Sequence, residues 1–253
     1  MKNISILGCG WLGEPLAISL LESGYLVKGS TTTESKLTTL EASQIEAYLV
    51  DISEFEDYDT FLNTDILIIA ITSNDIDGFE SLIAQIEDSS IQKVIFISST
   101  SVYPNSNSVV TEETKTKEVP LVEIEELFRQ NNCFETTILR FAGLFGGERH
   151  PGNWFSDGRK IPQPNGYVNM IHQEDCIEII HEIIDQNCWD TTLNACSDHH
   201  PTRKEFYAIA KLCKDLMLPE FEKNEPLLYK IVSPKKLQDV LGYEFIHNDL
   251  LSI

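Results

Sequence analysis

The chain opens with Asn3-Ile-Ser-Ile-Leu-Gly-Cys-Gly-Trp-Leu-Gly13, in which a mostly apolar stretch runs directly into a GxGxxG pattern. The apolar positions predict a buried parallel strand, and leucine and alanine residues recur at helical spacing after the last glycine. Gly8 can form the tight turn, Gly10 lets a pyrophosphate approach the backbone, and Gly13 lets the helix pack closely on the strand. The stretch therefore predicts a nucleotide-cofactor site with the phosphates at a helix N-terminus. The alternative is a glycine-rich turn that binds no ligand.

Apolar runs and amphipathic segments alternate after this stretch. Further strands are predicted at 26–30, 45–50, 66–71, 93–98 and 136–140, and helices at 34–42, 79–86 and 121–131. This alternation predicts an α/β fold, a Rossmann-type doubly wound parallel sheet covered on both faces. Later helices, at about 174–186 and 202–216, predict a small C-terminal substrate lobe over the carboxyl edge of the sheet, where such sheets bind ligands. We expect a Rossmann core at 1–145, with lobe segments and the last sheet elements of the same domain at 146–253.

The composition restricts the classes of partner. The 253 residues include 40 acidic and 19 basic side chains, and the resulting net charge of −21 would repel a nucleic-acid backbone. No apolar run approaches the roughly 20 residues of a membrane span, and the first residues lack the layout of a signal peptide. We expect a soluble, cytoplasmic protein that binds neither nucleic acid nor membrane. Its six scattered cysteines form no CxxC pair and are interpreted as packing residues.

The end of the second predicted strand bears on the choice between NAD and NADP. An acidic residue there would bind the ribose 2′-hydroxyl of NAD, but Thr31 stands near that position. Ser30, Thr31 and Thr32 offer hydroxyl donors and Lys36 a positive charge, which favours NADP. The alternative is that one of the threonines caps the next helix while Lys36 is solvated. Asp51, after the third strand, either reaches the adenine edge or caps a turn.

A second motif follows the apolar strand at 93–98. The chain there reads Ser98-Ser-Thr-Ser-Val-Tyr-Pro104, and its hydroxyls leave the sheet where a nicotinamide would lie. The segment resembles the end of the fifth strand in the short-chain dehydrogenase/reductase superfamily, in its extended, NAD-dependent epimerase/dehydratase-like branch. Stretches at 138–147, 168–175 and 193–198 resemble later landmarks of that branch, and the combination is most similar to its YeeZ-type subgroup. The resemblance implies a Rossmann fold that holds NAD(P) and acts on a small molecule.

One departure from the superfamily concerns proton transfer. The usual general acid/base is the Tyr of a YxxxK pair on the helix after the fifth strand, but this chain has no Tyr between Pro104 and Gly166. The predicted helix at 121–131 carries carboxylates instead. By position Ser99 matches the catalytic hydroxyl of the superfamily and would hydrogen-bond a substrate carbonyl, although a serine hydroxyl is a poor acid near neutral pH.

Arg149 and His150 are the candidates for the missing chemistry. They lie in the loop after the sixth strand, and they combine a guanidinium suited to carboxylate or phosphate with an imidazole that titrates near neutral pH. The alternative is that both make ordinary loop hydrogen bonds. The resemblance implies chiefly structural roles for Tyr103 and for His172, which would fix the lobe. The histidines at 199–200 lack further ligands in the sequence, so we predict no metal site.

The resemblance also places the nicotinamide beside the end of the sixth strand. Phe141 and Ala142 stand there, with simple packing as the alternative. Trp11 either shields the pyrophosphate or packs on the next helix. The residues predicted to contact the cofactor are Gly8, Gly10, Trp11, Leu12, Gly13, Ser30, Thr31, Thr32, Lys36, Asp51, Ile71, Ser98, Phe141 and Ala142.

Two functions are compatible with the sequence. The first is an NADP-dependent (or NAD-dependent) oxidoreductase or epimerase-like enzyme acting on a small carbonyl or sugar-like substrate, with Ser99, Arg149 and His150 as its catalytic residues. The second is a protein that binds NADP(H) without turnover, as a sensor or scaffold, because the YxxxK pair is missing. A homodimer is an expectation from the resemblance alone.

Overall fold

The computed structural model describes residues 2–54, 56–223 and 226–252. The strands are β1 (Asn3–Leu7), β2 (Leu26–Thr31), β3 (Glu46–Leu49), β4 (Ile66–Ile69), β5 (Lys93–Ser99), β6 (Val109–Val110), β7 (Glu135–Phe141), β8 (Gly143–Phe145), β9 (Met170–His172), β10 (Thr191–Ala195) and β11 (Ile231–Val232). The helices are α1 (Gly13–Glu22), α2 (Leu37–Ala42), α3 (Asp59–Leu62), α4 (Ile76–Glu87), α5 (Pro120–Gln130), α6 (Gln173–Asp185), α7 (Arg203–Leu212) and α8 (Lys235–Leu241). Short 3₁₀ turns lie at Glu34–Lys36, Ile52–Glu54, Thr100–Val102 and Pro151–Asn153.

Seven strands form one sheet in the order β10-β7-β5-β4-β1-β2-β3. The pairs β3–β2, β2–β1, β1–β4 and β4–β5 are parallel, and Ile4 of β1 stands between Val27 of β2 and Ile66 of β4. The order reverses beside β1, because the chain builds outward from β1 to β3 and then returns to β4. Open sheets bind ligands at such a switch point, outside the carboxyl ends of the strands. The predicted Rossmann-type α/β fold is therefore confirmed.

The central strands are buried on both faces. Successive side chains of a strand point to opposite faces, and both Ile6 and Leu7 of β1 are at most 1% exposed. One apolar cluster joins Leu7 to residues of β4, β5 and β7 and to helices α3, α4 and α5. Within it Phe128 of α5 stacks on Phe96 of β5 with ring centroids 4.9 Å apart.

Two compact units make up the fold. Unit 1 comprises Met1–Ser98, Glu118–Leu139 and Ile180–Thr192, and unit 2 comprises Ser99–Lys117, Arg140–Ile179 and Leu193–Ile253. The sequence analysis divides the chain at one point, after residue 145. In the structure the chain passes between the two units several times, because strands such as β5 and β7 begin in unit 1 and end in unit 2. Unit 2 has its own apolar cluster, which includes Phe145, Met170 and Phe206.

Several local predictions need correction. The helix predicted at 202–216 ends at Leu212, and exposed residues follow it. The interpretation of the cysteines as packing residues holds for Cys9, Cys176 and Cys196, which are buried, but Cys133 and Cys213 are exposed. All six are free thiols. Among the described residues, no helix is both long enough and apolar enough to cross a bilayer.

Candidate functional site

Three glycines shape the turn between β1 and α1, each for a different reason. Gly8 has φ +99°, a conformation that L side chains rarely adopt. A Cβ on Gly13 would overlap the backbone carbonyl oxygen of Gly8, so this position needs glycine for close packing. Around Gly10, in contrast, no described heavy atom lies within 4 Å of the place a Cβ would occupy. The turn is thus tight at both ends and open in the middle, as the approach of a pyrophosphate requires.

The N-terminus of α1 adds donors to this turn. Leu12 is the N-cap residue and is buried, and no described side chain caps it by a hydrogen bond. The first backbone N–H groups of a helix lack partners within the helix and carry its positive dipole end, which favours an anion. Trp11 precedes this N-cap and is half-buried.

A cleft of about 550 Å³ lies beside the turn within unit 1 and is called the unit-1 cleft here. Its walls come from the glycine turn, the ends of β2, β3 and β4, and the segments that follow them. The predicted cofactor residues that line it are Gly8, Gly10, Ser30, Thr31, Thr32, Lys36, Asp51 and Ile71. The structure therefore brings together eight of the fourteen predicted contacts, although they come from four separate segments of the chain.

Ser30 fixes the glycine turn to β2. Its Oγ accepts a hydrogen bond from the backbone N–H of Gly8 at 3.0 Å, and its carbonyl oxygen accepts one from Cys9 at 2.7 Å. Ser30 is buried at 1% exposure. Its hydroxyl therefore positions the turn in addition to lining the cleft.

Lys36 is held at the cleft wall by two contacts. Its Nζ donates to the carbonyl oxygen of Cys9 at 2.7 Å and forms an ion pair with Glu14 at 3.1 Å. The side chain of Lys36 is paired at the cleft wall and at the same time 37% exposed to solvent. Capping by Thr33 is not observed: Thr33 is the N-cap residue of the following turn, but no cap hydrogen bond to its side chain is described, and its N–H donates to Oγ1 of Thr31 at 3.1 Å.

Asp51 caps a turn, as one of the two sequence alternatives stated. Its Oδ1 accepts from the backbone N–H and the hydroxyl of Ser53, at 3.0 and 2.7 Å. These hydrogen bonds from Ser53 lower the pKa of Asp51. Asp51 also lines the unit-1 cleft, so a contact with the adenine half of a cofactor stays a prediction.

Ser98 lines neither the unit-1 cleft nor the second cleft, in unit 2, that is described next. It is 5% exposed, and its hydroxyl donates to Oε1 of Glu125 at 2.5 Å. Glu125 lies on α5, the helix that carries the YxxxK pair in the resembled superfamily, and is fully buried. The hydrogen bond thus connects the end of β5 with α5. Phe141 is likewise buried, at 2% exposure.

A second cleft, of about 490 Å³, lies within unit 2 and is called the unit-2 cleft here. Its lining includes Ser99 and Ala142, which the sequence analysis selected, together with several polar residues that it did not select. Those residues are Asn169, Arg203, Tyr207, Tyr229 and Lys230. The cleft offers both hydroxyl and cationic groups to a ligand.

Ser99 begins the 3₁₀ turn after β5. Its Oγ accepts the backbone N–H of Ser101 at 3.0 Å, which fixes the oxygen and leaves the hydroxyl proton to be donated. Ser99 is half-buried and lines the unit-2 cleft. This placement agrees with a hydrogen bond to a substrate carbonyl, a role that stays a prediction.

Lys230 is the residue that sequence reasoning missed. Its Nζ donates to the carbonyl oxygens of Thr100 and Tyr103, at 2.8 and 2.9 Å. Burial, and after it the positive charge of Lys117, lowers the pKa of Lys230 to about 8. Asn169 holds the surrounding segment, since its side chain bonds the carbonyl of Lys230 and the N–H of Val232. No sequence motif predicts that Lys230 is buried beside these carbonyl groups.

Tyr103 is structural, as expected. It is 1% exposed, and its hydroxyl accepts from Arg140 at 2.7 Å and donates to Asn194 at 2.8 Å. Arg140 and Asn194 are buried too. The three side chains form a buried polar network, and Tyr103 therefore has no access to a ligand in this arrangement.

Arg149 and His150 do not line the unit-2 cleft. Arg149 is exposed, and its backbone pairs with Gly146 in an isolated bridge. His150 begins the turn Pro151–Asn153, and its Nδ1 accepts the N–H of Gly152 at 3.0 Å. Burial, followed by the charge of Lys214, lowers the pKa of His150. The structure thus shows the local loop bonds of the alternative interpretation and does not bring His150 together with Ser99 in this cleft.

His172 belongs to a small polar group in unit 2. Its ring lies 3.7 Å from that of His247, centroid to centroid, and His247 Nε2 is 2.7 Å from Glu174 Oε2. Possible ligand atoms of these three residues lie within 4.8 Å of one another. Next to them, buried Asp175 accepts from the hydroxyl of Tyr243 and from two backbone N–H groups at Ile246 and His247. This acid therefore fixes the C-terminal segment within unit 2.

The aromatic residues of the later loop pack against α7. The rings of Trp154 and Phe155 lie 6.2 and 5.2 Å from that of Tyr207. Together with Arg159 they line a further, open cleft of about 440 Å³. Trp154 and Phe155 therefore both pack against α7 and line this cleft.

The chain is similar to known proteins over its whole length. The family model described as "NADP oxidoreductase coenzyme F420-dependent" matches residues 3–101. Solved structures share the fold at low identity: a conserved protein from Silicibacter pomeroyi (TM-score 0.84, 19% identity, covering 100% of this chain and 96% of that one) and UDP-glucuronic acid 4-epimerase from Bacillus cereus in complex with NAD (TM-score 0.80, 16% identity, 98% and 95%).

A curated relative is similar enough to assign the family. Protein YeeZ of Escherichia coli (strain K12) is 32% identical, over 99% of this chain and 98% of its own length. The resemblance stated from the sequence motifs is confirmed. The chain, with its glycine turn and Rossmann-type sheet, therefore belongs to the YeeZ family.

Proposed function

We propose that the protein binds a nicotinamide dinucleotide, NADP in preference to NAD, and acts as an oxidoreductase or epimerase-like enzyme on a small carbonyl or sugar-like substrate. The observation that carries the proposal is the open space at Gly10 in a turn that is otherwise tight. An added ligand fits where a Cβ would be tolerated, beside the N-terminus of α1. The matching family model and the NAD complex of the structural relative support the same cofactor class.

Different residues of the unit-1 cleft would contact different parts of the cofactor. The glycine turn and α1 would hold the pyrophosphate, while Thr31, Thr32 and Lys36 would hold the ribose of the adenosine half. Asp51 and Ile71 would border the adenine. The bound nicotinamide would supply or take the hydride, which is chemistry that side chains do not perform.

Lys36 is the basis for expecting NADP. Its side chain is 37% exposed and borders the cleft, and its ammonium group already meets the carboxylate of Glu14. A 2′-phosphate would compete for that charge, and Thr31 offers no negative charge to repel it. NAD carries a neutral hydroxyl at the same place and would gain less from Lys36.

Fluorescence titration with NADPH and NADH tests both the cofactor and the preference. We expect tighter binding of NADPH, and in Lys36→Met a loss of about tenfold in NADPH affinity with little change for NADH, because one charge-assisted hydrogen bond is removed. Lys28→Met is the matched control, since Lys28 lies on β2, the strand that leads to the turn of Lys36, but bonds the carbonyls of Thr60 and Asn63 outside the cleft. Equal affinities for the two cofactors in the wild type would contradict the NADP preference, and no binding of either would reject the proposal.

The substrate half of the proposal rests on the unit-2 cleft. Ser99 presents a hydroxyl that is fixed by Ser101, and Arg203 offers a guanidinium whose Nε is held by the carbonyl of Pro162 at 2.8 Å. A hydroxyl donor suits a carbonyl oxygen, and a guanidinium suits a negatively charged part of the same molecule. The cleft therefore supports a small polar substrate better than an apolar one.

A second candidate is binding without turnover, as a sensor or scaffold. One observation favours it: Glu125, on the helix where the superfamily has its YxxxK pair, is buried and bonded to Ser98. Consumption of NADPH with a panel of small aldehydes, ketones and keto sugars separates the two candidates. Tight binding of NADPH without consumption by any member would favour the second.

A further inference from the structure

The amine of Lys230 sits between two backbone acceptors in the unit-2 cleft. Thr100 and Tyr103 belong to the turn that follows Ser99, and their carbonyl oxygens are 2.8 and 2.9 Å from Nζ. A neutral amine has two hydrogens and one lone pair, so these two carbonyls satisfy both hydrogens. The third position on nitrogen then carries either a lone pair or a proton, and Lys230 lines a cleft in which a ligand can meet it.

The charges around Lys230 disfavour its protonated form. Lys117 is close enough to oppose a second positive charge, and Arg203 lines the same cleft. Among the described residues, no carboxylate forms an ion pair with Lys230. Three tyrosines, Tyr167, Tyr207 and Tyr229, share the cleft, and burial raises the pKa of Tyr207.

Burial acts in the same direction. Desolvation is the larger cause, and Lys117 the smaller one, of the lowering of the Lys230 pKa from 10.5 to about 8. An amine with such a pKa is present in both protonation states near neutral pH. Efficient proton transfer needs a group of that kind, and a buried lysine beside a second cation is one recognised way to obtain it.

We propose that Lys230 is the group of the unit-2 cleft that exchanges a proton with the oxygen of the bound substrate. The proposal rests on the proposed function for its substrate class. In the reducing direction the oxygen of a bound carbonyl would gain the proton of the Lys230 ammonium, which would become a neutral amine, and the carbon would gain the hydride that a bound reduced nicotinamide supplies. In the oxidising direction the hydroxyl would lose its proton to the lone pair of Lys230, and the hydride would go to the oxidised form of the cofactor. The two hydrogen bonds to Thr100 and Tyr103 persist throughout.

Reductive methylation tests the site without knowledge of the substrate. The probe is isotopically labelled formaldehyde with cyanoborohydride, at pH 6 to 10, and the modified lysines are located by peptide mass spectrometry. Only neutral amines react: with a pKa of about 8, roughly one amine in four is neutral at pH 7.5, against roughly one in a thousand for an ordinary lysine. Allowing for its partial burial, we expect Lys230 to react about tenfold faster than exposed Lys235 in the same molecule.

Two variants test whether the charge of Lys117 contributes to the lowered pKa of Lys230. Lys117→Met removes the neighbouring charge and is expected to move the pH midpoint of Lys230 labelling upward, whereas Lys117→Arg retains the charge and the midpoint. A labelling rate for Lys230 no higher than that of Lys235, or a midpoint near 10, would overturn the proposal. Because the labelling rates of Lys230 and Lys235 are compared within the wild-type protein, this test can be made even if Lys230→Met, which loses two hydrogen bonds, fails to fold.

Turnover gives the readout that a structural lysine would not change. With any carbonyl compound that the protein reduces, Lys230→Arg is expected to lower kcat by about a hundredfold and to remove the pH dependence near 8, while NADPH binding in the unit-1 cleft is retained. An unchanged pH profile in Lys230→Arg would overturn the proposal. Selective labelling of Lys230 in a protein that binds no nicotinamide cofactor would instead reject the proposed function and leave the proton-exchanging amine standing.

Discussion

Gly10 differs from the other two glycines of the turn in what surrounds it. Gly8 is constrained by its positive φ, and Gly13 by the backbone of Gly8 itself, so both serve the fold. At Gly10 no positive φ is required, and the described neighbours leave the position of a Cβ empty. Under the proposed function this glycine serves the ligand, because the absence of a side chain would bring backbone N–H groups within reach of phosphate oxygens.

This difference separates the two effects of substitution by alanine. Gly10→Ala is expected to leave the free energy of unfolding unchanged or to raise it by up to about 1 kcal/mol, because it restricts the unfolded chain, while NADPH binding weakens by tenfold or more. Gly13→Ala is expected to lower the free energy of unfolding by about 1–3 kcal/mol through overpacking. Urea unfolding and fluorescence titration measure the two quantities. A stable Gly10→Ala variant with wild-type affinity would contradict the assigned role.

The helices differ in the way in which their first turns are capped. Asp75 accepts the N–H of Gly78 at the start of α4, and Thr202 and Glu205 form a reciprocal capping box at the start of α7. At α1 the residue in the cap position is Leu12, without a described side-chain cap. The same lack of a side-chain cap is found at α5, whose N-cap residue is Val119, and the N–H of Glu14 in α1 donates to the carbonyl oxygen of Gly10. Capping by itself therefore does not distinguish α1 from the other helices.

The capping box of α7 provides a test at the level of the element. Thr202→Ala removes the hydroxyl that bonds the N–H of Glu205, at 3.2 Å, and is expected to lower the free energy of unfolding by about 1 kcal/mol. Thr202→Ser keeps the hydroxyl and is the matched control. Because α7 carries Arg203 and Tyr207 of the unit-2 cleft, fraying of its first turn would also be visible as faster hydrogen exchange there. Equal stability of the two variants would show that the box contributes nothing.

Elements with a regular pattern could be predicted from sequence, and the elements without one could not. The buried central strands are continuous apolar runs, and the residues at or just beyond the carboxyl ends of strands, such as Ser30 and Asp51, could be assigned to one edge of the sheet. Lys230 follows no such strand. Its neighbours Thr100, Tyr103 and Lys117 lie more than a hundred residues away in the chain, and its environment arises only when these segments pack together. His150 shows the converse error, since a reactive residue type in a loop does not by itself reach the cleft.

Three histidines of the folded chain share one electrostatic property. Burial is the largest cause of a lowered pKa at His150, His172 and His200, and each is therefore harder to protonate in the folded protein than in the unfolded one. His200 is the most buried of the three, and its Nδ1 lies 3.1 Å from the carbonyl oxygen of Val168. Below the ordinary histidine pKa of about 6.5 the unfolded chain takes up more protons than the folded one.

Stability is consequently expected to fall as the pH drops from 7.5 through 6.5 toward 5. The sign follows from linkage: a group with a depressed pKa in the folded state stabilises the fold above its unfolded pKa, and this contribution is lost as protons bind preferentially to the unfolded chain. Carboxylates with lowered pKa values, such as Asp51 and Glu205, act in a separate window below about pH 4 to 4.5 and do not mask the effect. The urea midpoint at pH 7.5, 6.5 and 5.5 measures the loss. His200→Gln should flatten this dependence, and the less buried His150→Gln should flatten it less. If the midpoint of His200→Gln fell as steeply as that of the wild type, buried histidine would not be the source of the acid sensitivity.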